Sequence, residues 1–257
     1  MSGFHIDDDD RPIGRMLSRR EVLVLFGGAG AALATGAITA GALAQSASPA
    51  VSPAMSALPA CVVVPDLTEG PYFVDERLDR SDIRADSTTG IISAGARLDL
   101  SWVVTRIDGT ACVPFAGAMV DVWHCDAAGA YSDVQDRGSS TEGQDFLRGY
   151  QLTDADGRAT FTTIYPGWYD GRAVHIHFKI RTDPDQSSGT ELTSQLFFDE
   201  AFTDTVYAVE PYAARGQRTV LNDQDGIFQQ SGGQTLVTVS PTTDGYAGTF
   251  AVGIRMS

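Results

Sequence analysis

The stretch AVHIHFKIRT, residues 173–182, decides which fold this chain adopts. Apolar side chains stand at the even positions 174–180, and His, Lys or Arg stands at each odd position 175–181. This period of two predicts a β-strand over Ala173–Thr182, because residues i and i+2 of a strand point to the same face. His175 and His177 therefore leave the strand side by side, close enough to bind one metal ion.

Short segments with similar alternation recur on both sides of this strand, with turn sequences between them. They predict seven further strands: Leu98–Ile107, Ala118–His124, Leu147–Thr153, Arg158–Ile164, Ser194–Asp199, Thr235–Ser240 and Tyr246–Arg255. We expect Asp199–Asp225 to be irregular, with a short helix. About eight short strands without a long amphipathic helix predict an all-β fold, a β-sandwich with long loops and little helix.

The first 45 residues have the pattern of an export signal. The twin-arginine sequence Leu17-Ser18-Arg19-Arg20-Glu21-Val22-Leu23 precedes a Gly/Ala-rich apolar stretch, and Ala42-Leu43-Ala44 offers a cleavage site. We expect residues 1–45 to engage the twin-arginine export machinery and to be removed. The mature protein would then be periplasmic or extracellular. An uncleaved membrane anchor is the alternative, since the stretch is long enough to span a bilayer.

Composition restricts the rest of the chain. Residues 46–60 are rich in Ser, Ala and Pro and are expected to form a flexible linker. The remaining residues, 61–257, suffice for one β domain. The net charge of −15 argues against nucleic acid and anionic membrane surfaces as partners.

Three cysteines, Cys61, Cys112 and Cys125, would enter an oxidising compartment after export. Such a compartment permits one disulfide and leaves one thiol over. Cys112 and Cys125 are expected near opposite ends of one strand, so they are poor partners for each other. Cys61 is a candidate partner for either of them.

The residues around His175 and His177 leave the metal open. A phenylalanine and a lysine follow the pair, so the His-x-His-x-Asp pattern of a zinc hydrolase is absent. A facial triad of two histidines and one carboxylate would need an acidic partner, and Asp133 and Asp170 are near in sequence. A third interpretation is that the two imidazoles occupy a solvated strand face and bind nothing.

Tyrosines are the other candidate ligands: Tyr131, Tyr150, Tyr165 and Tyr169. A phenol has a pKa of about 10, so it binds as phenolate only to a strongly charged ion such as Fe(III). Two histidines with two tyrosinates would favour Fe(III) over Fe(II). The competing interpretation is that these tyrosines only pack and hydrogen-bond in turns and in the core.

Several separated motifs resemble the signature of the intradiol ring-cleavage dioxygenases. They are Gly129-Ala130-Tyr131-Ser132, Pro166-Gly167-Trp168-Tyr169, Arg172–Phe178, Glu69-Gly70-Pro71-Tyr72, Val120–His124 and Thr193–Phe198. They occur in the family's order between about Cys61 and the C-terminus, and look most similar to the protocatechuate 3,4-dioxygenase branch and its secreted bacterial relatives. The resemblance implies a transthyretin-like β-sandwich.

The resemblance also implies a non-haem Fe(III) ion with four protein ligands, which are Tyr131, Tyr169, His175 and His177. Tyr169 and His175 would be the axial pair. Tyr131 and His177 would lie in the equatorial plane with a solvent hydroxide.

Further roles follow from the same resemblance. Arg172 would place its guanidinium beside the substrate ring, and Gln195 would supply a supporting amide next to the ligands. Tyr165 stands at a variable position and is not expected to bind iron, and His124 is expected to be structural. The pocket mouth would be lined by three residues, Gly70, Pro71 and Tyr72.

The implied activity is cleavage of catechol-type aromatics by O₂ between the two hydroxylated carbons, with both oxygen atoms inserted to give a cis,cis-muconate-type diacid. Tyr169 would be the phenolate that leaves the iron. A non-catalytic transthyretin-like binding or carrier protein is the main alternative, and a copper or zinc protein that uses only His175 and His177 is a minor one. The sequence leaves homo-oligomerisation and the ring substituents of the substrate open.

Overall fold

Short strands dominate the computed structural model, which describes residues 61–136, 139–183 and 189–256. The predicted export signal and linker, residues 1–60, lie outside the described residues. In chain order the strands are β1 (Arg97–Asp108), β2 (Ala111–Pro114), β3 (Met119–Trp123), β4 (Gln135–Asp136), β5 (Ser139–Ser140), β6 (Arg148–Leu152), β7 (Arg158–Ile164), β8 (His175–Arg181), β9 (Glu191–Phe198), β10 (Leu236–Val237), β11 (Val239–Pro241) and β12 (Tyr246–Arg255).

Helix is scarce in the same region. It comprises helix α1 (Glu200–Tyr207), helix α2 (Gly226–Ser231), and 3-10 turns at Ala213–Arg215 and Asn222–Gln224. Within the described residues, no helix has the length and apolar character needed to cross a membrane.

The strands form two five-stranded sheets. In the first sheet, β1 pairs in parallel with β12, and β2 and β7 share the other edge of β1, while β11 lies beyond β12. The second sheet has the order β10-β9-β8-β3-β6, with β8 in its centre. A separate two-stranded hairpin joins β4 and β5. The predicted all-β sandwich with little helix is confirmed.

The core lies between the two sheets because each contributes one apolar face. Alternate residues of β1 are buried from Leu98 to Val104, and the inward residues of β8 are also buried. Trp102 of β1 meets Phe178 of β8 with ring centroids 6.0 Å apart. Burial of one large side chain of this kind contributes roughly 1.5–3 kcal/mol to folding.

The outer face of β8 is polar and is covered by the segment 61–76. Lys179 forms ion pairs with Glu69 and with Glu191, and its Nζ lies 4.2 Å from the ring centroid of Phe73. Arg181 forms an ion pair with Asp75 at 2.8 Å. The two histidines of β8 are therefore buried beneath this segment, although they point away from the sandwich core.

Most predicted strands match the structure within a few residues, and β7 and β12 have the predicted bounds. The predicted strand Thr235–Ser240 is wrong as one element. Leu236 pairs with Phe197 in the second sheet, whereas Val239 pairs with Gly248 in the first. The chain passes from one sheet to the other at this point, which an alternating pattern does not reveal.

The expected placement of the cysteines is also wrong in one respect. Cys112 lies in β2, a four-residue strand that was not predicted because it shows no clear alternation. Cys125 follows β3 in the other sheet, so the two cysteines do not share a strand. Cys61 and Cys112 form a disulfide with their Cα atoms 5.5 Å apart, and Cys125 is a buried thiol.

Candidate metal centre

Four polar atoms from three segments of the chain converge on the outer face of the second sheet. The Nε2 atoms of His175 and His177 are 3.0 Å apart. The phenolic oxygens of Tyr169 and Tyr131 lie 3.2 Å and 3.5 Å from His175 Nε2. All four residues that the motifs single out as ligands therefore lie around one point.

These separations fit a single shared ion. Ligand nitrogen atoms lie about 2.0–2.1 Å from a transition-metal ion such as zinc, so two ligands at a right angle are about 3 Å apart. The described residues contain no cluster of three or more His, Cys, Asp or Glu that could hold a metal. The facial-triad alternative with Asp133 or Asp170 is accordingly not supported, and the two phenols are the further candidate donors at this point.

Backbone and ring contacts orient both imidazoles. His175 Nδ1 donates to the carbonyl of Ala173 at 2.7 Å, so its Nε2 carries the lone pair needed by a ligand. The ring of His177 stacks on Trp123 with centroids 5.0 Å apart and planes 10° apart. Gly70 lies against the same imidazole, because a Cβ at this position would come within 3.3 Å of His177 Cε1.

Two glycines let the tyrosine-bearing turns approach each other. A Cβ on Gly129 would come within 2.3 Å of the Trp168 carbonyl oxygen, and a Cβ on Gly167 would come equally close to the Asp126 carbonyl oxygen. Gly167 N also donates to Asp126 O at 3.1 Å. The turn before Tyr131 and the turn before Tyr169 therefore interlock, which brings the two phenols to the same histidine.

A buried arginine fixes the segment after Tyr131. Arg148 of β6 donates from its guanidinium to the backbone carbonyls of Ser132 and Tyr72. Tyr72 in turn stacks on Tyr131, with ring centroids 4.5 Å apart. One buried guanidinium thus holds two segments that meet at the candidate ligand.

The protonation states suit a cation-binding site. Burial, assisted by the positive charge of Arg172, lowers the pKa of His175 to about 3, and burial also lowers the pKa of His177 well below its ordinary value. Burial raises the pKa of Tyr131 and of Tyr169 above that of a free phenol. Both imidazoles are therefore neutral, and both phenols keep their protons until a cation offsets the cost of burying phenolate charge.

A polar network lies next to the ligands. Arg172 donates from Nε to Asp225 Oδ2 at 2.9 Å and from Nη2 to Gln195 Oε1 at 2.5 Å. Gln195 is fully buried on β9 opposite His177, and its Nε2 donates to Thr68 O. The structure thus brings Arg172 and Gln195 together next to the histidine strand.

Tyr131 and Tyr169 belong to the wall of a cavity of about 200 Å³. Its lining includes Tyr72, Tyr131 and Tyr169, together with the small residues 128–130. A volume of this size admits a small aromatic ring. Of the residues predicted at the pocket mouth, Tyr72 lines this cavity, Gly70 packs on His177, and Pro71 is exposed.

Comparison with known proteins identifies the family. A family model described as a dioxygenase matches residues 68–221. The solved structure of an intradiol ring-cleavage dioxygenase from Tetranychus urticae is similar to this chain, with a TM-score of 0.65 and 30% identity over 76% of this chain and 95% of that one. The chain belongs to the intradiol ring-cleavage dioxygenases.

Two further relatives support the same family assignment. The protocatechuate 3,4-dioxygenase beta chain of Burkholderia cepacia is 32% identical over 53% of this chain and 62% of its own length. Catechol 1,2-dioxygenase 1 of Acinetobacter lwoffii is 29% identical over 51% of this chain and 45% of its own length. The matched region therefore spans roughly half the length of these two relatives.

The other two candidate tyrosines, Tyr150 and Tyr165, and the buried His124 lie apart from the converging atoms. Tyr165 is buried against Phe198, and its hydroxyl is 2.7 Å from Thr203 Oγ1. Tyr150 lies on β6. His124 is fully buried and is hydrogen-bonded to the Cys125 carbonyl and to the Thr163 hydroxyl, which agrees with the structural role expected for it.

Two residues near the candidate metal centre were not identified from the sequence, Arg148 and Asp225. The site-facing contacts of both residues are distant in sequence, since Arg148 is 16 residues from Ser132 and Asp225 is 53 residues from Arg172. The only local signal for Asp225 is that an aspartate before Gly226-Ile227-Phe228 is typical of a helix N-cap. Its bond to Arg172 depends on tertiary structure alone.

Proposed function

We propose that the protein is a non-haem Fe(III) intradiol dioxygenase that inserts both atoms of O₂ into catechol-type aromatics and releases cis,cis-muconate-type diacids. One observation carries the proposal, the convergence of Tyr131, Tyr169 and His177 on His175 Nε2 within 3.5 Å. Two phenols and two neutral imidazoles are a donor set suited to a trivalent ion.

The four converging side chains would hold the iron, and bound Fe(III) would act as a Lewis acid that draws electron density from the catechol ring. Both tyrosines line the cavity, and we assign the Oη of Tyr169 as the acceptor of a catechol proton because its side chain is the less buried of the two. Tyr131 is more deeply buried and would remain a ligand.

Arg172 would stabilise the negative charge that develops on the ring. Its side chain is 11% exposed, and a fixed cation in such a poorly hydrated place stabilises charge more strongly than the same cation in water. Gln195 would keep the guanidinium in place through its side-chain oxygen. The rings of Tyr72 and Tyr131 would help to exclude water from the cavity.

A non-catalytic carrier would require none of this chemistry. A binding module gains nothing from burying two imidazoles and two phenols with their polar atoms around one point, since burial of polar groups costs free energy. The carrier alternative is therefore not favoured.

We further propose that the enzyme acts after export by the twin-arginine route, in the periplasm or outside the cell. The twin-arginine sequence at residues 17–23 and the disulfide between Cys61 and Cys112 support this location, because disulfides persist in oxidising compartments.

Oxygen uptake by the iron-loaded protein tests the proposed activity. Catechol, protocatechuate, hydroxyquinol and substituted catechols would be supplied in turn, and product formation would be followed by ultraviolet absorbance. We expect uptake of one O₂ per ring cleaved, by a red-brown protein whose colour arises from tyrosinate and Fe(III). Folded protein that stays colourless and iron-free after expression with ample iron would contradict the proposal.

A further inference from the structure

Asp225 is a buried carboxylate next to the candidate metal centre. It is not one of the four candidate ligands. Its side chain is 1% exposed. Oδ2 accepts hydrogen bonds from Arg172 Nε at 2.9 Å and from Ala173 N at 2.8 Å. Oδ1 accepts from Ile227 N at 2.8 Å and from Phe228 N at 3.0 Å. One carboxylate thus connects the start of α2 with the segment that precedes β8.

Hydrogen bonds to two residues fix the orientation of the Arg172 guanidinium. The guanidinium of Arg172 is planar, and it is held at Nε by Asp225 and at Nη2 by Gln195. Two bonds to different nitrogens of a planar group restrict both its position and its tilt. Gln195 is neutral, so Asp225 is the partner that also balances the charge of the guanidinium.

The same carboxylate reaches the histidine strand. Asp225 accepts from Ala173 N, and the carbonyl of Ala173 accepts from His175 Nδ1 at 2.7 Å. The backbone of Ala173 therefore lies between Asp225 and a candidate ligand. Groups that orient a metal-binding histidine through its second nitrogen commonly change metal affinity 10–100-fold when they are lost, as a rough guide.

We propose that Asp225 is a positioning residue of the dioxygenase, which holds Arg172 toward the substrate ring and fixes the corner Arg172-Ala173 that orients His175. This inference rests on the proposed function. The competing explanation is that Asp225 only caps α2, through its bonds to the backbone of Ile227 and Phe228.

Three variants separate these explanations. Asp225→Asn keeps an oxygen for the helix cap, since Asn is as good an N-cap as Asp, but its amide nitrogen cannot accept from Arg172 or Ala173. Asp225→Ser also keeps a capping oxygen and is too short to reach Arg172. Asp223→Asn is the matched control, because Asp223 is exposed in the same turn and loses the same charge.

We expect Asp225→Asn to lower kcat about 100-fold, the size of effect that follows from a misplacement of about 1 Å, while KM changes much less. Its affinity for Fe(III), measured by competition with a chelator, should fall about tenfold. Asp223→Asn should leave both quantities within about twofold of the wild-type values, because Asp223 is exposed and surface substitutions of this kind have small effects. Asp225→Ser should resemble Asp225→Asn and serves as the test variant if the asparagine protein does not fold.

A double-mutant cycle gives the decisive comparison. If Asp225 acts mainly through Arg172, then Asp225→Asn should reduce the kcat of the iron-saturated protein much less in an Arg172→Gln background than in the wild type, and the loss that remains reports the contact with Ala173. An additional loss in that background as large as the loss in the wild type would overturn the proposal, and so would values of kcat and iron affinity equal to those of Asp223→Asn. Absence of ring cleavage by the wild type would instead refute the proposed function, while the iron affinities of the variants still test the positioning of His175.

Discussion

Gly129 and Trp168 approach so closely that a Cβ at position 129 would lie 2.3 Å from the Trp168 carbonyl oxygen. Gly129 also has a φ of +84°, which side chains rarely adopt. The contact joins the turn before Tyr131 to the turn before Tyr169. Both candidate tyrosine ligands thus depend on one pair of interlocked turns.

We predict that Gly129→Ala destabilises the protein by about 2–5 kcal/mol, since it combines a strained φ with a backbone collision. Urea unfolding measures the effect. Gly109→Ala is the matched control, because Gly109 has a φ of +60° but no atom within 4 Å of an added Cβ. The control should lose only about 1 kcal/mol, from backbone strain alone. Equal losses in the two variants would show that the contact with Trp168 is unimportant.

Tyr131→Phe should weaken and shift the visible absorption of the iron-loaded protein and lower its iron content, because the variant removes one of the two phenolic donors from the converging set. Tyr165→Phe is the control, since its hydroxyl bonds Thr203 away from the site. It should retain the colour and lose about 1 kcal/mol of stability with the hydrogen bond. Absorption spectra and iron analysis of both proteins provide the measurement, and an unchanged spectrum in Tyr131→Phe would exclude it as a ligand.

Acid should destabilise the protein through His124. Burial lowers the pKa of this imidazole to about 4, whereas an unfolded chain has a value near 6.5. Below about pH 6.5 the unfolded state binds a proton that the folded state does not, so stability falls as the pH falls toward 4.

The contribution of this one histidine should amount to about 2 kcal/mol between pH 6.5 and pH 4.5. Denaturant unfolding of the iron-free protein across this range measures it. His124→Asn keeps a donor for the Cys125 carbonyl and does not titrate, so its stability should fall less steeply than that of the wild type. Parallel curves would contradict the prediction. Asp121 has the opposite effect on stability, because burial raises the pKa of its carboxyl to about 6. This effect is the same in both proteins, so it cancels when their stabilities are compared.

The disulfide between Cys61 and Cys112 should stabilise the fold. It closes a loop with a sequence separation of 51, for which the loss of unfolded-state entropy corresponds to about 4 kcal/mol. Replacement of both cysteines by serine should lower the free energy of unfolding by about 2–4 kcal/mol. A reducing agent should lower the stability of the wild type by a similar amount and leave the double variant unchanged. A wild type that is insensitive to reduction would refute the role of this bridge.

Much of the fold follows from local pattern. Alternation identified β7 and β12 with their observed bounds, because residues that must bury one face repeat every two positions. The strand β2 and helix α2 escaped detection, since segments of four and six residues are too short to show a period. The chain also passes from the second sheet to the first between β10 and β11, and the local sequence pattern does not indicate this.

Some features of the candidate metal centre also follow from local sequence, and others depend on tertiary structure. The sequence by itself determined that His175 and His177 share one face of a strand, since the period of two is a property of the backbone. It also supplied the motifs that contain Tyr131 and Tyr169. Only the tertiary structure decided that these phenols reach His175, because their turns meet through contacts at Gly129 and Gly167 that span about 40 residues of chain.

The link between Arg172 and Asp225 belongs to tertiary structure as well. The two residues are 53 positions apart, and Asp225 by local pattern is only a helix cap. Local sequence can specify which face of a strand carries a side chain, because that choice depends on neighbouring backbone geometry. Which distant group lies opposite that side chain depends on how the sheets and loops pack, and that packing follows from the burial of the whole core.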